Sequence, residues 1–245
     1  AAGGLGGKRP LVHMRWGGGT PSLRDPADFQ ALAALVHEHF DVLPGAEHAI
    51  ELDPRTVTRA LVTSLAKAGV NRASLGVQDF NPTVQEAIGR IQSYRLVVTV
   101  VEELTRAGIG AINMDLMYGL PHQTAAEVER TVDLTAALAP ARIALFGYAH
   151  VPWMKAHQRL IDAAALPGAV ERIDQAEAAS ARLVAHGYIP IGIDHFARPD
   201  DPLAIAARDG TLRRNFQGYT TDPADALIGF GASSIGKLPQ GYIQN

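Results

Sequence analysis

The chain has 245 residues, of which 47% are hydrophobic and 19% charged, and its formal net charge is −3. This composition is typical of a folded protein with a substantial core and excludes a largely disordered chain. The near-neutral charge shows no basic excess of the kind that binds nucleic acid, so we expect no nucleic-acid partner. No apolar run has the length of a membrane span, so we expect no membrane partner either. The chain contains no cysteine, which excludes disulfides, and we expect a cytoplasmic monomer.

Short apolar runs alternate with amphipathic segments through the first 196 residues. The predicted strands are 11–16, 48–52, 72–77, 111–117, 142–146 and 189–193. The predicted helices between them are 25–40, 56–68, 94–107, 125–138 and 169–186. Asp25 is the predicted N-cap of the first helix because Pro26 follows it at the first helical position. Strand–helix alternation predicts an α/β fold with a parallel sheet and crossover helices. Six strands favour a partial parallel (β/α) barrel, and a doubly wound open sheet is the alternative.

The alternation fades after Phe196. We expect residues 1–245 to form one core domain in which residues 197–245 are irregular, because turn signals recur there at 198–202, 209–210 and 222–223. The chain also stops without a terminal helix, from which we expect a sequence that is truncated at this end.

Polar residues or glycines follow each predicted strand, where the loops of a parallel barrel meet and ligands bind. In chain order they are Gly17-Gly18-Gly19-Thr20, Glu51 with Asp53, Gln78-Asp79, Asp115, Tyr148-Ala149-His150 and Asp194-His195. A carboxylate after a strand often caps the next helix, and we expect Asp53 and Asp79 to do only that. The recurrence at equivalent strand ends favours a ligand site for the others.

The residue types indicate what such a ligand presents. Glycines without side chains let a ligand approach the backbone, and Glu51 suits an ammonium group. Asp115 and Gln78 suit ribose hydroxyls, which donate and accept hydrogen bonds. The planar guanidinium of Arg90 suits a carboxylate. Together these residues predict a ligand with an amino-acid end and a sugar end, such as S-adenosylmethionine.

Seven strings in the chain are similar to those of the radical S-adenosylmethionine family of coproporphyrinogen oxidases. Four are shared by the wider family, and three are more specific to the oxidases. The four are HMRWGGGTP at 13–21, IELDPR at 50–55, LGVQDFN at 75–81 and MDLMYGLP at 114–121. The three are GYAHVP at 147–152, DHFARPDD at 194–201 and RNFQGYTT at 214–221.

The resemblance implies a partial barrel of the radical-SAM type and a reaction of haem biosynthesis. A 4Fe–4S cluster, reduced by an electron donor, cleaves S-adenosylmethionine to a radical that attacks two propionates of coproporphyrinogen III. Each propionate loses carbon dioxide and becomes a vinyl group, which gives protoporphyrinogen IX. The family binds two S-adenosylmethionine molecules. The positions that match contacts to the cluster-bound molecule are Gly18, Glu51 and Ile235. The positions that match contacts to the second are Gly19, Thr20, Gln78, Arg90, Asp115 and Ala149.

The chain departs from the family at the cluster. The family holds it with a Cys-x₃-Cys-x₂-Cys loop, and thiolates are what bind such clusters, whereas this chain has no cysteine. We therefore expect a sequence that begins after that loop and lacks the family's C-terminal domain, and that is inactive alone. A cluster-free descendant is the alternative.

Other functions and the substrate contacts are open on sequence alone. A porphyrin or haem carrier built on the same barrel is one alternative, and a metal-dependent hydrolase using His13, His150, His195 and Asp115 is another, although no metal-binding spacing is present and we expect no metal ligands. For the substrate propionates we expect His195 and Arg198, because Pro199 and the following acids would hold Arg198 close to the strand end at Asp194.

Overall fold

The computed structural model describes residues 7–245, and its main feature is a curled sheet of seven strands. In chain order the strands are β1 (Arg9–Trp16), β2 (Phe40–Leu52), β3 (Arg72–Gln78), β4 (Ala111–Tyr118), β5 (Arg142–Gly147), β6 (Ile189–Ile191) and β7 (His195–Ala197). The order across the sheet is β1-β2-β3-β4-β5-β7-β6, and the first five strands are parallel. The predicted partial parallel barrel is therefore confirmed.

Helices cover the convex face of this sheet. The α-helices are α1 (Pro26–His39), α2 (Arg59–Lys67), α3 (Pro82–Ala87), α4 (Tyr94–Arg106), α5 (Ala125–Ala137), α6 (Ala169–Ala185) and α7 (Pro202–Arg208). Short 3-10 helices lie at Pro21–Leu23, Pro54–Thr56, Ala156–Leu160 and Ala163–Ala165. The predicted cap is present, because the Asp25 carboxylate accepts a hydrogen bond from the backbone N–H of Ala27. None of these helices, within residues 7–245, is long and apolar enough to cross a membrane.

The alternation of side chains along the strands divides the sheet into an apolar and a polar face. Ala73, Leu75 and Val77 of β3 are fully buried and pack with the helices in the main core. The residues that alternate with them along the strand, such as Ser74 and Gln78, point to the concave face, as expected for a strand period of two. This face carries the polar and charged side chains of the barrel.

One strand differs from the prediction. The sequence predicts six parallel strands, with the last ending at Ile193. The structure has β6 ending at Ile191, after which the chain turns back as β7, which pairs antiparallel with both β5 and β6. Gly192 permits the turn because its φ is +65°, a conformation that other residues rarely adopt. As a result, Ala197 lies opposite Arg142 at the beginning of β5.

The residues after β7 are more regular than predicted. They include α7 and two antiparallel hairpins outside the main sheet. The first hairpin joins β8 (Arg213–Asn215) to β9 (Gly218–Thr220), and the second joins β10 (Ile235–Leu238) to β11 (Gly241–Gln244).

Candidate functional site

The glycine loop after β1 and the end of β2 form one side of the candidate site. Glu51 accepts a hydrogen bond from Arg15 Nη2 at 2.7 Å and a longer one from the backbone N–H of Gly18 at 3.4 Å. A Cβ on Gly17 would lie 2.9 Å from Glu51 Oε1, so a larger residue there would shift this carboxylate from its position. Gly18 and Gly19 have left-handed φ values of +74° and +59°, and a Cβ on either would meet no atom within 4 Å. The loop is therefore open to a ligand beside a fixed anion.

Trp16 anchors the beginning of this loop. Its indole Nε1 donates a hydrogen bond of 2.6 Å to His48 Nε2, and its ring packs against Phe29 with the centroids 4.8 Å apart. Burial lowers the pKa of His48 to about 4, and the nearby His37 makes a smaller contribution in the same direction. His48 is therefore neutral at pH 7, which leaves Nε2 free to accept the indole hydrogen.

Gln78, at the end of β3, has an unusual backbone conformation. Its φ is +67°, and the backbone N–H of Asp79 donates to Val77 O at 2.9 Å, which together describe a γ-turn centred on Gln78. The pairing of β3 with β4 shifts by one residue at the same point, between Gly76 and Gln78. A γ-turn whose central residue has a positive φ is rare and strained. Strain of this kind is concentrated at binding sites.

Arg90 contacts β3 immediately before this turn. Its Nη2 donates to Gly76 O at 2.7 Å, and its Nη1 lies 3.3 Å from Asp53 Oδ2. Within residues 7–245 its buried Nε has no hydrogen-bond partner, and burial lowers the pKa of Arg90. Asp53 also caps the 3-10 helix that follows it, as predicted, by accepting from the backbone N–H of Arg55.

Asp115, in β4, completes this side of the site. It lies opposite Gly76 of β3 and Ala144 of β5, on the concave face. Burial raises the pKa of Asp115 to about 6, and the negative charge of Glu51 makes a smaller contribution in the same direction. The nearby Arg15 and Arg90 act in the opposite direction but do not cancel this rise. No residue in the described part of the chain donates a hydrogen bond to this carboxylate. It is an acceptor suited to the hydroxyl groups of a ligand.

The structure thus brings together Gly18, Glu51, Gln78, Arg90 and Asp115 from the predicted set. Gly19 and Thr20 follow in the same loop, where Thr20 precedes the 3-10 helix Pro21–Leu23 without capping it through its side chain. Ala149 follows the end of β5, and its carbonyl accepts a hydrogen bond from Gln158 Nε2 at 3.0 Å.

Ile235 is separate from this set. It begins β10, and the neighbours that fix it, Gly229 and Gln244, both belong to the segment after β9.

The two residues predicted for the substrate lie at opposite ends of β7. His195 pairs with Ala144, which in turn pairs with Asp115, so His195 shares the concave face with Asp115. Its Nδ1 lies 2.6 Å from Asp194 Oδ1. Arg198 instead donates its backbone N–H to Ala141 O, at the beginning of β5. The expectation that Arg198 lies close to Asp194 is wrong. β7 runs antiparallel to β5, so Arg198 lies beside the beginning of β5, at the opposite end of the strands from the candidate site.

Asp79 also differs from its predicted role as a helix cap. Asn81 caps α3, whereas Asp79 is fully buried and accepts hydrogen bonds from the backbone N–H of Asn81 and from Gln123 Nε2. Burial raises the pKa of Asp79.

Sequence reasoning missed a cluster of ion pairs on the concave face. Arg72 Nε donates to Glu47 at 2.9 Å, and Arg142 Nε donates to Asp201 at 2.8 Å. Arg72 also pairs with Asp201 at 3.4 Å and Arg142 with Glu47 at 3.6 Å, so the four charges form a closed group. Burial would raise the pKa of Glu47, but the two arginines outweigh it and lower the value. The signal that could have indicated this cluster is an arginine at the first position of two predicted strands, Arg72 and Arg142.

The residues of the hydrolase alternative are dispersed. His13 lies 3.9 Å from Glu47, His150 contacts Tyr148, and His195 contacts Asp194. Within the range 7–245, no three His, Asp or Glu side chains are grouped so as to hold a metal ion. The structure gives this alternative no support.

Comparison with known proteins identifies the family of the chain. The model of the Radical SAM superfamily matches residues 4–135, which is more than half of the chain. The chain is 54% identical over 241 residues to the oxygen-independent coproporphyrinogen III oxidase of Bradyrhizobium diazoefficiens, covering 98% of this chain and 54% of that protein. It is 48% identical over 235 residues to the protein of the same name from Paracoccus denitrificans, covering 96% of this chain and 52% of that protein.

A solved structure is similar over nearly the whole chain as well. The coproporphyrinogen III oxidase of Escherichia coli, described as a radical SAM enzyme, matches with a TM-score of 0.93 and 41% identity, covering 96% of this chain and 54% of that one. The chain therefore spans about half the length of the relatives it matches. From the family match, the fold and the site together, this chain belongs to the radical S-adenosylmethionine superfamily.

Proposed function

We propose that the chain is the cofactor-binding core of an oxygen-independent coproporphyrinogen III oxidase. In this proposal the whole enzyme converts two propionate side chains of coproporphyrinogen III to vinyl groups by oxidative decarboxylation and gives protoporphyrinogen IX. The relatives that carry this name match at 54% and 48% identity across nearly all of the chain, which supports the proposal. Likeness to the oxidases favours it over the porphyrin carrier.

The observation that carries the proposal is a pair of carboxylates at one end of the barrel. Glu51 has hydrogen-bond donors within the chain, and Asp115 has none within residues 7–245. Glu51 is held by Arg15 and by the glycine loop, so it presents a fixed negative charge for an ammonium group. Asp115 lacks a donor within residues 7–245 and suits the ribose hydroxyls. An amino-acid group and a ribose are the two ends of S-adenosylmethionine, and the open glycine loop lies beside the carboxylate that suits the first of them.

Two cofactor molecules are part of the proposal. Gly18, Glu51 and Ile235 are assigned to the first. Gly19, Thr20, Gln78, Arg90, Asp115 and Ala149 are assigned to the second. The strained turn at Gln78 and the nearby Arg90, which share contacts around Gly76, support a common ligand for this second group.

The 4Fe–4S cluster does not fit the residues present. The 245 residues include no cysteine, and thiolates are the ligands that hold such clusters. The proposal therefore assigns cofactor and substrate binding to this chain, and cluster binding and the contact with an electron donor to residues outside the sequence.

The chain's own residues orient the reacting groups. When bound, the cofactor supplies the radical that takes a hydrogen atom from the β-carbon of a propionate. In this proposal Glu51 would hold the ammonium group of the first cofactor molecule, and Asp115 would accept hydrogen bonds from the ribose of the second. His195 lies two strands from Asp115 on the same concave face, and its contact with Asp194 fixes the orientation of its ring. In this proposal the protonated imidazole, in which both ring nitrogens donate, contacts a substrate carboxylate through Nε2.

Calorimetric titration of the chain with S-adenosylmethionine tests the cofactor site. We expect Asp115→Ala to weaken binding about ten- to a hundredfold, because losing a hydrogen-bonded carboxylate costs about 1.5–3 kcal/mol of binding free energy. Asp133→Ala is the control, because Asp133 lies on α5 and pairs with Arg182 on α6, away from the strand ends. Equal affinity in both variants, or no binding by the wild-type chain, would contradict the proposal.

The substrate assignment is tested in the full-length enzyme. His195→Ala should raise KM for coproporphyrinogen III and leave cleavage of S-adenosylmethionine without substrate unchanged. Unchanged KM would remove His195 from the substrate site. A porphyrin carrier would instead bind haem and release no carbon dioxide from the propionates.

A further inference from the structure

Two carbonyl groups of β3 just before the strained turn at Gln78, those of Gly76 and Val77, accept hydrogen bonds from side chains. The register shift between Gly76 and Gln78 interrupts the hydrogen bonds to β4 at this point. Buried carbonyl groups need other donors. The residues that supply these donors decide whether Gln78 keeps its left-handed conformation.

Gln92 is the side chain that donates to both of these carbonyls, whereas Arg90 donates to Gly76 O alone. It is 1% exposed, and its Nε2 donates to Val77 O and, at 3.1 Å, to Gly76 O. Its backbone is fixed in turn by Gln85, whose Oε1 accepts from Gln92 N at 2.9 Å and whose Nε2 donates to Gln92 O at 2.7 Å. The Gln85 amide also donates to Asp79 O at 2.8 Å, on the other side of the turn.

The carboxylate of Asp79 holds the far side of the turn. It accepts from Asn81 N at 2.5 Å and from Gln123 Nε2 at 2.6 Å. Gln123 is itself fixed by Gln175 of α6, which donates to Gln123 O at 2.8 Å. The γ-turn is therefore enclosed by buried amides, and Gln92 is the one that bonds directly to the residues preceding Gln78.

We propose that Gln92 is a positioning residue, which holds the γ-turn that aims Gln78 at the cofactor. The proposal rests on the proposed function, since it deepens the assignment of Gln78 to an S-adenosylmethionine site. A residue other than glycine keeps such a conformation only when its surroundings hold it there. Gln92 meets this need without being placed to touch the cofactor itself.

Gln92→Met tests the proposal, because methionine has a similar length and no donor. Gln30→Met is the control, since Gln30 also donates through its amide to a backbone carbonyl, that of Ser64, and lies between α1 and α2, outside the network around the turn. The first measurement is hydrogen exchange at the Asp79 N–H, which forms the hydrogen bond of the γ-turn. We expect Gln92→Met to speed this exchange about tenfold relative to Gln30→Met and to weaken S-adenosylmethionine binding about tenfold, as for one lost hydrogen bond.

Gln78→Gly provides a second test, because glycine adopts the left-handed conformation without support. In that background, Gln92→Met should change the exchange of the Asp79 N–H by less than about threefold, since little strain is left to hold. If Gln92→Met alone does not fold, the double variant decides: a folded double variant supports positioning, and an unfolded one overturns it.

The outcomes separate this proposal from the proposed function. A wild-type chain that binds no S-adenosylmethionine contradicts the function, while the Asp79 exchange still tests whether Gln92 holds the turn. Equal exchange rates and equal affinities in the two methionine variants would overturn the role of Gln92.

Discussion

Replacing Asp115 with asparagine should stabilise the fold above pH 6, although Asp115 is part of the proposed site. Burial and the charge of Glu51 raise the pKa of Asp115 from 3.8 to about 6. The ionised form is therefore disfavoured in the folded protein relative to the unfolded chain. As the pH rises from below 3.8 through 6, the wild-type protein loses stability that the Asp115→Asn variant keeps.

The size of this effect follows from the pKa difference. A rise from 3.8 to about 6 corresponds to about 3 kcal/mol of lost stability above pH 6, at about 1.4 kcal/mol for each pH unit. The concave face is partly open to solvent, so we expect a gain of about 1–3 kcal/mol for Asp115→Asn at pH 7. Near pH 4 the difference should fall below about 1 kcal/mol, because Asp115 is then protonated in the folded state and only about half ionised in the unfolded chain.

Urea denaturation at pH values from 4 to 8, followed by circular dichroism, measures this difference. Asp133→Asn is a control of opposite sign, because hydrogen bonds from Arg182 and His186 lower the pKa of Asp133 to about 2. That substitution should lower stability at neutral pH. Parallel pH profiles for the wild type and Asp115→Asn would refute the reasoning. Weaker S-adenosylmethionine binding by the more stable variant would show that the unpartnered carboxylate serves the ligand.

Three further perturbations follow from the contacts described. Gly17→Ala should weaken S-adenosylmethionine binding about tenfold or more, because its Cβ would displace Glu51. Gly110→Ala, where a Cβ meets no atom within 4 Å, should leave the calorimetric affinity unchanged. Glu47→Gln should lower the free energy of unfolding by about 3 kcal/mol, since it leaves Arg72 and Arg142 with one carboxylate, and a loss below about 1 kcal/mol in urea denaturation would contradict this. Anaerobic incubation with iron and sulfide should give no cluster absorption, because no thiolate is present, and a cluster spectrum with bound iron would contradict this.

The regular part of the fold was predictable because its signals are local. Apolar periodicity, the cap at Asp25 and the glycines that end the helices lie within single segments, and they located the first five strands and their helices. The reversal after Ile191 was not predictable. A strand of three residues, such as β7, carries too little periodicity, and the apolar run at 189–193 is equally consistent with one longer strand. The beginning of β2 at Phe40 was missed because Pro44 and Gly45 interrupt its pattern.

The candidate site was predictable where it depends on topology. Parallel strands end at one edge, so the strand pattern alone predicts that Glu51, Gln78 and Asp115 converge. Partners that are distant in sequence gave no such signal. The approach of Arg15 to Glu51 and of Gln92 to Val77 depends on side-chain packing. The predicted position of Arg198 was wrong because it depended on the direction of β7.

The concave face carries one group of charges that are paired within the chain and a second group that we propose binds a ligand. At the beginning of the strands, Arg72 and Arg142 balance Glu47 and Asp201, and each charge has a partner within 3 Å. Asp201 also caps α7, which fixes the segment after β7 to the sheet. At the ends of the strands, Asp115 accepts no hydrogen bond from residues 7–245, and its pKa is raised. A buried network is stable when every member is satisfied, which the four paired charges achieve within the chain, whereas Asp115 keeps the acceptor capacity that the proposed ligand would use.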